Sequence, residues 1–290
     1  MSKMRLIVDS SCDMPDIFYK KYNIGVTDLI INLGEKVYRD RSEITAKDLL
    51  KAYDKTKVYP KTSALNIADL IDVFSKELKE YEHIFYLPIS SQISSINNNA
   101  HLAASELKME SRITILDSSE LSSGTALEAI GIGEDILAKL SPSQIEANHL
   151  QRKKRISMSF VIDTMDFLYK GGRCSGLTYL LGNHFHLHPI IELKEGKMGV
   201  HKIARGKDIN RGLSTMTDEF LLQFNKGNID LNYPIFIPNV DSEGGVKHIK
   251  RTLEDQVGNK ILFPIDASGI ICCHCGKNTC GLAYMLKEPK

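Results

Sequence analysis

Apolar positions along this 290-residue chain follow two rhythms. Short apolar runs at 5–8, 83–87 and 112–116 read as buried strands. Between them the spacing widens to that of a helix: Ile67, Leu70, Ile71, Phe74 and Leu78 form one stripe. Leu102 and Leu107 belong to a second helix, and Leu127, Ile130 and Ile136 to a third. Another helix is predicted to begin near Pro15, because a first-turn proline sacrifices no intrahelical hydrogen bond. Strand, polar turn and helix in repetition predict an α/β domain whose mostly parallel sheet is covered on both faces, a three-layer α/β/α arrangement.

Ser141-Pro142-Ser143-Gln144 has the form of a capping box, with Ser141 as cap and Gln144 reaching back. We expect the domain boundary just after the helix it opens, dividing the chain into 1–155 and 156–290. The second half then reads as a strand at 156–162, a short helix ending at Gly171-Gly172, and a hairpin of 189–193 with 198–203 around Glu195-Gly196. Helices are predicted over 208–224 and 245–257, and strands over 233–237, 260–263 and 269–273. A hairpin among alternating elements makes this a mixed-sheet α/β domain.

Composition adds mainly exclusions. The chain is 42% hydrophobic and 25% charged, and 37 basic against 36 acidic residues leave a net charge of +1. That balance argues against nucleic acid, whose binders concentrate basic charge. The one basic cluster, Arg152-Lys153-Lys154-Arg155, is expected to be a solvated helix end. No stretch reaches the roughly 18 apolar residues of a membrane span, and residues 1–5 lack a signal-peptide apolar region. The expectation is a soluble, cytoplasmic protein whose six cysteines stay reduced.

The candidate chemistry lies where strands meet helices. Hydroxyl-rich turns occur at Ser10-Ser11, Thr62-Ser63, Ser90-Ser91 with Ser94-Ser95, and Ser118-Ser119 with Ser122-Ser123. Ligands of open α/β sheets bind at such turns, and helix N-termini there favour an anionic head group. Gly171-Gly172-Arg173 would stop a helix sharply and hold a guanidinium in a defined place, suited to grip a carboxylate with two hydrogen bonds. Cys272, Cys273, His274, Cys275 and Cys280 lack the spacing of a zinc site and read as buried thiols, with His274 as a donor at a strand end. His184, His186 and His188 alternate, so they should share one structural or solvent-facing side. No metal and no cofactor is expected. The chain also lacks a serine-hydrolase elbow, a dinucleotide fingerprint and a phosphate-binding loop.

In this order the motifs resemble the DegV family of bacterial lipid-binding proteins, which includes the fatty-acid-carrying subunits of fatty acid kinase. The resemblance rests on Val8-Asp9-Ser10-Ser11-Cys12-Asp13, Lys61-Thr62-Ser63, Ile89 through Ser95, Asp117-Ser118 and His274-Cys275-Gly276. Its most specific part is Leu168-Tyr169-Lys170-Gly171-Gly172-Arg173. It implies two α/β domains enclosing an acyl chain, with the carboxylate held by Thr62, Ser94, Arg173 and His274. Ser63, Ser91, Ser95 and Gly172 are further candidates. Departures at Gln92, Ser95, Ile96 and Asn97 would reshape the loop around Ser94. Lys277 and Asn278 alter the C-terminal loop, and Lys277 would either add charge near the head group or face solvent.

The expected function is therefore carriage: a long-chain fatty acid with its tail in an apolar tunnel, presented to a partner kinase by a protein that is not itself a catalyst. Burying about 14 methylenes at roughly 0.8 kcal/mol each yields about 11 kcal/mol. Association costs of about 4–15 kcal/mol oppose this, so the tail supplies most of the affinity and the polar clamp sets position. The alternative is an acyl hydrolase or transferase with Ser94 as nucleophile and His274 as base.

Overall fold

A computed structural model describes residues 3–173 and 187–288. Strand β1 (Met4–Asp9) lies between β2 (Gly25–Thr27) and β6 (His83–Leu87), and β7 (Ile113–Ile115) forms the far edge. All four run parallel. Every residue of β6 is buried, which is why its sequence is an unbroken apolar run rather than an alternation. The expected helices are present as α1 (Asp16–Lys21), α3 (Ile67–Glu77), α4 (Ile96–Glu106), α5 (Ser122–Leu137) and α6 (Pro142–Arg152). The Ser141–Gln144 capping box forms as predicted at the start of α6.

Segments the pattern did not reveal make a small antiparallel sheet, in which β3 (Ile30–Leu33) is flanked by β4 (Lys36–Arg39) and β5 (Lys61–Ser63). Helix α2 (Ala46–Thr56) joins β4 to β5. These strands are three or four residues long, with β4 and β5 largely exposed, and are too short for alternation to register. Thr62, expected in a turn, is therefore on a strand.

The second half builds a six-stranded mixed sheet from β8 (Ile156–Val161), β9 (Leu187–Lys194), β10 (Lys197–Arg205), β11 (Ile235–Val240), β12 (Leu262–Asp266) and β13 (Thr279–Met285), ordered β10-β9-β8-β13-β11-β12. The hairpin is the antiparallel β9–β10 pair. Side-chain parity divides this sheet between two cores. Met158, Phe160, Phe236, Ala283 and Met285 join the core shared with the first half. Their neighbours Val161, Ile235, Ile237, Leu282 and Tyr284 pack with α8 (Asn210–Asn225) and α9 (Glu243–Val257). Helix α5 meets β1 and also β8, β11 and β13. It is buried from Ser122 through Gly133, so the parallel and mixed sheets share it.

Two expectations are corrected. Residues 269–273 are not a strand but part of α10 (Gly269–Cys275), and the true last strand, β13, pairs with both β8 and β11. A short apolar run buried all round has no period that separates helix from strand. Distant carboxylates favour the helix: Ser268 N–H donates to Asp13 Oδ1 at 2.9 Å and Gly269 N–H to Asp40 Oδ1 at 3.0 Å. The basic cluster is likewise not wholly solvated. Arg152 is buried against Glu128 at 3.0 Å, and Arg155 pairs with Asp230 at 2.7 Å.

Candidate functional site

The C-terminal end of α10, strand β5, the serine loop before α4 and the end of helix α7 (Asp166–Lys170) converge on one cavity of about 50 Å3. Thr62, Ser63, Ser94, Arg173 and His274 line it, and Leu29, Ile93, Leu121, Leu168, Ile270 and Ile271 supply apolar wall. At a few waters in size, this space is a narrow pocket, apolar over most of its wall, rather than an open tube.

Local sequence explains how each polar group is held. Helix α7 ends in a Schellman turn: Gly172 takes φ +71°, its N–H bonds Tyr169 O at 3.0 Å, and Arg173 N–H bonds Leu168 O at 3.2 Å. The arginine thus leaves the helix at a defined angle. Its Nη1 donates to Gly171 O at 2.8 Å and its Nε to Ile93 O at 3.3 Å, tying it to the serine loop. His274, near the end of α10, shares a hydrogen bond of 2.8 Å between Nε2 and Thr62 Oγ1. Its Nδ1 has no hydrogen-bond partner among the described residues and lies against Gly171. Ser94 Oγ accepts the Ile96 N–H at 3.3 Å at the start of α4.

Burial, and then the neighbouring Arg173, push His274 down to about 3, so the imidazole is neutral at ordinary pH. A fixed guanidinium beside a neutral imidazole and two hydroxyls suits an anion: the arginine brings charge, and the others bring hydrogen bonds. For the hydrolytic alternative, the histidine bond runs to Thr62 rather than to Ser94.

Of the further candidates, Ser63 lines the cavity, whereas Ser91, Ser95 and Gly172 do not. Ser91 Oγ is bonded to Asp117 at 2.6 Å, and Ser95 is exposed. Other hydroxyl-rich turns are scaffolding. Asp9 Oδ2 accepts Ile89 N–H at 2.8 Å, Ser10 Oγ accepts Leu29 N–H at 3.1 Å, and Ser90 Oγ donates to Gly196 O at 2.8 Å, docking the β9–β10 turn. Lys277 faces solvent and pairs with Asp241 at 3.1 Å. His274 sits on a helix, not at a strand end. His184 and His186 lie outside the described residues, and His188 is buried.

Sequence reasoning missed the apolar lining. Met198 belongs to the hairpin, and Leu29 lies just before the small sheet, neither with a motif to mark it. Cys275, which also lines the cavity, is pushed up to about 12 by burial, so its thiol stays protonated. Among the described residues, no group of three or more His, Cys, Asp or Glu side chains is arranged for a metal ion. Among those residues also, no helix is long and apolar enough to cross a membrane.

Comparison with known proteins covers essentially the whole chain. A DegV domain-containing protein of Clostridium acetobutylicum is 27% identical, covering 99% of this chain and 100% of the relative. A solved fatty-acid-binding DegV family protein from Thermus thermophilus superposes with a TM-score of 0.85 at 26% identity, covering 98% and 100% of the two chains. The Streptococcus pneumoniae fatty acid kinase B3 protein, solved loaded with linoleic acid, shares the fold at a TM-score of 0.81 and 18% identity, over 98% and 100% of the chains. The DegV family model matches residues 3–287, and this chain belongs to that family.

Proposed function

We propose that this protein binds one long-chain fatty acid and hands it on without catalysing a reaction, its carboxylate at Thr62, Ser94, Arg173 and His274. The observation that carries this reading is the meeting of those four side chains, from four separate elements, around one cavity with apolar walls. Among the described residues, a site with the Arg173 cation, a Cys275 thiol held protonated and a histidine bonded to threonine is suited to grip rather than to attack. The tail extends into the apolar interior, and because the cavity is small it must part closely packed side chains to do so. Residues 1–155 and 156–290 act as two domains with the lipid between them. The solved relatives described as fatty-acid-binding, and the linoleate-loaded kinase subunit, support the ligand class and a partner kinase as recipient. In this reading the protein works in the cytoplasm, where its six cysteines stay reduced.

Organic extraction of the purified protein followed by mass spectrometry tests the reading. A stoichiometric fatty acid is expected, and Arg173→Ala should weaken binding by about tenfold to a hundredfold in a folded protein. A clean extract, with no binding of added fatty acid, would overturn it.

A further inference from the structure

Next to the pocket of His274, the mouth of the proposed site, lies a second, smaller cavity of about 10 Å3, bordered by Met158, Phe160, Val240 and Ala267. Both cavities share Leu121, Ile271 and Cys275 as lining, so these three side chains form the neck between them. The second cavity in turn shares Asn239, Val240 and Ala267 with a wide cleft of about 420 Å3. Shared lining therefore links the pocket of His274, through the neck, to Asn239, Val240 and Ala267.

What stands there is polar. Ser122 Oγ, on the second cavity, donates to Asp13 Oδ2 at 2.6 Å. Ser268 N–H donates to Asp13 Oδ1 at 2.9 Å, and Arg41 Nη2 is 3.2 Å from that oxygen. Asp13 is itself buried and borders the wide cleft. An alkyl chain gains free energy with each methylene while apolar atoms surround it. At this layer the next methylene would displace a hydrogen-bonded carboxylate or emerge into water, and the gain stops.

We propose that Val240 and Ala267 are the stop that reads acyl-chain length, with Leu121, Ile271 and Cys275 as the neck the tail must pass. The assignment rests on the carboxylate binding at the mouth, as proposed above. Enlarging Ala267 shortens the path; trimming Val240 lengthens it.

The test compares wild type, Ala267→Phe and Val240→Ala, purified from one culture. Bound acids are identified by mass spectrometry, and a fluorescent fatty acid is displaced by saturated acids from laurate to arachidate. Ala267→Phe is expected to shift the bound acids shorter and weaken stearate by about tenfold or more, with laurate little changed. Val240→Ala is expected to shift the profile longer, and it carries the test alone if Ala267→Phe does not fold. An unchanged profile in both folded variants, or a loss uniform across the series, overturns the stop while leaving fatty acid binding intact. A wild type that neither carries nor binds any acid overturns the reading of the mouth instead.

Discussion

His274 and Gly171 are fitted to one another: the imidazole edge bearing Nδ1 occupies the place where a side chain on residue 171 would stand. The opposite ring nitrogen is bonded to Thr62, so the ring is held from both sides by residues from distant parts of the chain.

Gly171→Ala is therefore expected to displace the ring, destabilise the fold by about 1–3 kcal/mol and weaken fatty acid binding. Gly172→Ala is the control. Among the described residues nothing lies close to a side chain added there, but its φ of +71° makes one strained, so stability should fall by about 1–2 kcal/mol with the ring untouched. Denaturant titration and fluorescent fatty acid binding on both variants check the contrast. Equal affinity in the two would remove the His274–Gly171 contact from the site.

Thr62→Val keeps shape but removes the hydroxyl that holds Nε2. Affinity is expected to drop by about fivefold to tenfold, with folding changed by about 1 kcal/mol. Isothermal titration with oleate measures it. An undiminished affinity would mean that the threonine hydroxyl contributes nothing to the clamp.

Two titratable groups should push stability in opposite directions as pH changes. His274 takes a proton near 6.5 when unfolded but only near 3 when folded, so the unfolded chain binds more protons between those values and stability falls as pH drops through them. Asp13, pushed up to about 7 by burial against the pull of Arg41, binds a proton in the folded chain where the unfolded chain, near 3.8, has lost it. Its contribution rises as pH drops from about 7 toward 3.8. Between about pH 7.5 and about pH 5, His274→Gln should gain about 2 kcal/mol relative to wild type, and Asp13→Asn should lose a similar amount. Urea titrations at the two pH values decide it. Parallel behaviour of both variants and wild type would exclude this assignment of protons.

The turn of the β9–β10 hairpin is docked by Ser90 Oγ on Gly196 O, and a methyl group at Gly196 would overlap that oxygen. Gly196→Ala should cost about 2–4 kcal/mol, from overlap and from a φ of +78°. In a Ser90→Ala background the overlap disappears and the cost should fall to the backbone strain alone, about 1–2 kcal/mol. Additive losses in the double-variant cycle would show that the two residues do not touch in solution.

Much of this was legible in one dimension. An amphipathic stripe marked α3, helical spacing of apolar residues marked α5 and a capping box marked α6, because periodicity and caps are local. The Gly171-Gly172-Arg173 motif was readable as a helix stop that aims a guanidinium, and the structure shows the turn that does so. The small sheet, α10 and β13 were not legible. Thr62 looked like turn residue because three-residue strands exist only by pairing with β3. His274 looked like strand because an apolar run carries no period, and the carboxylates that cap its helix lie more than two hundred residues away.

By itself, then, the amino-acid order determined the α/β character, the division of apolar and polar positions, and which side chains have the chemistry to hold a carboxylate, since each depends on neighbours within a few positions. Only the tertiary structure decided that four of those side chains share one cavity, that other hydroxyls are committed to scaffolding, and where the apolar interior ends. Those outcomes depend on contacts between residues far apart in the chain, whose pairing follows from packing around α5 rather than from any local pattern.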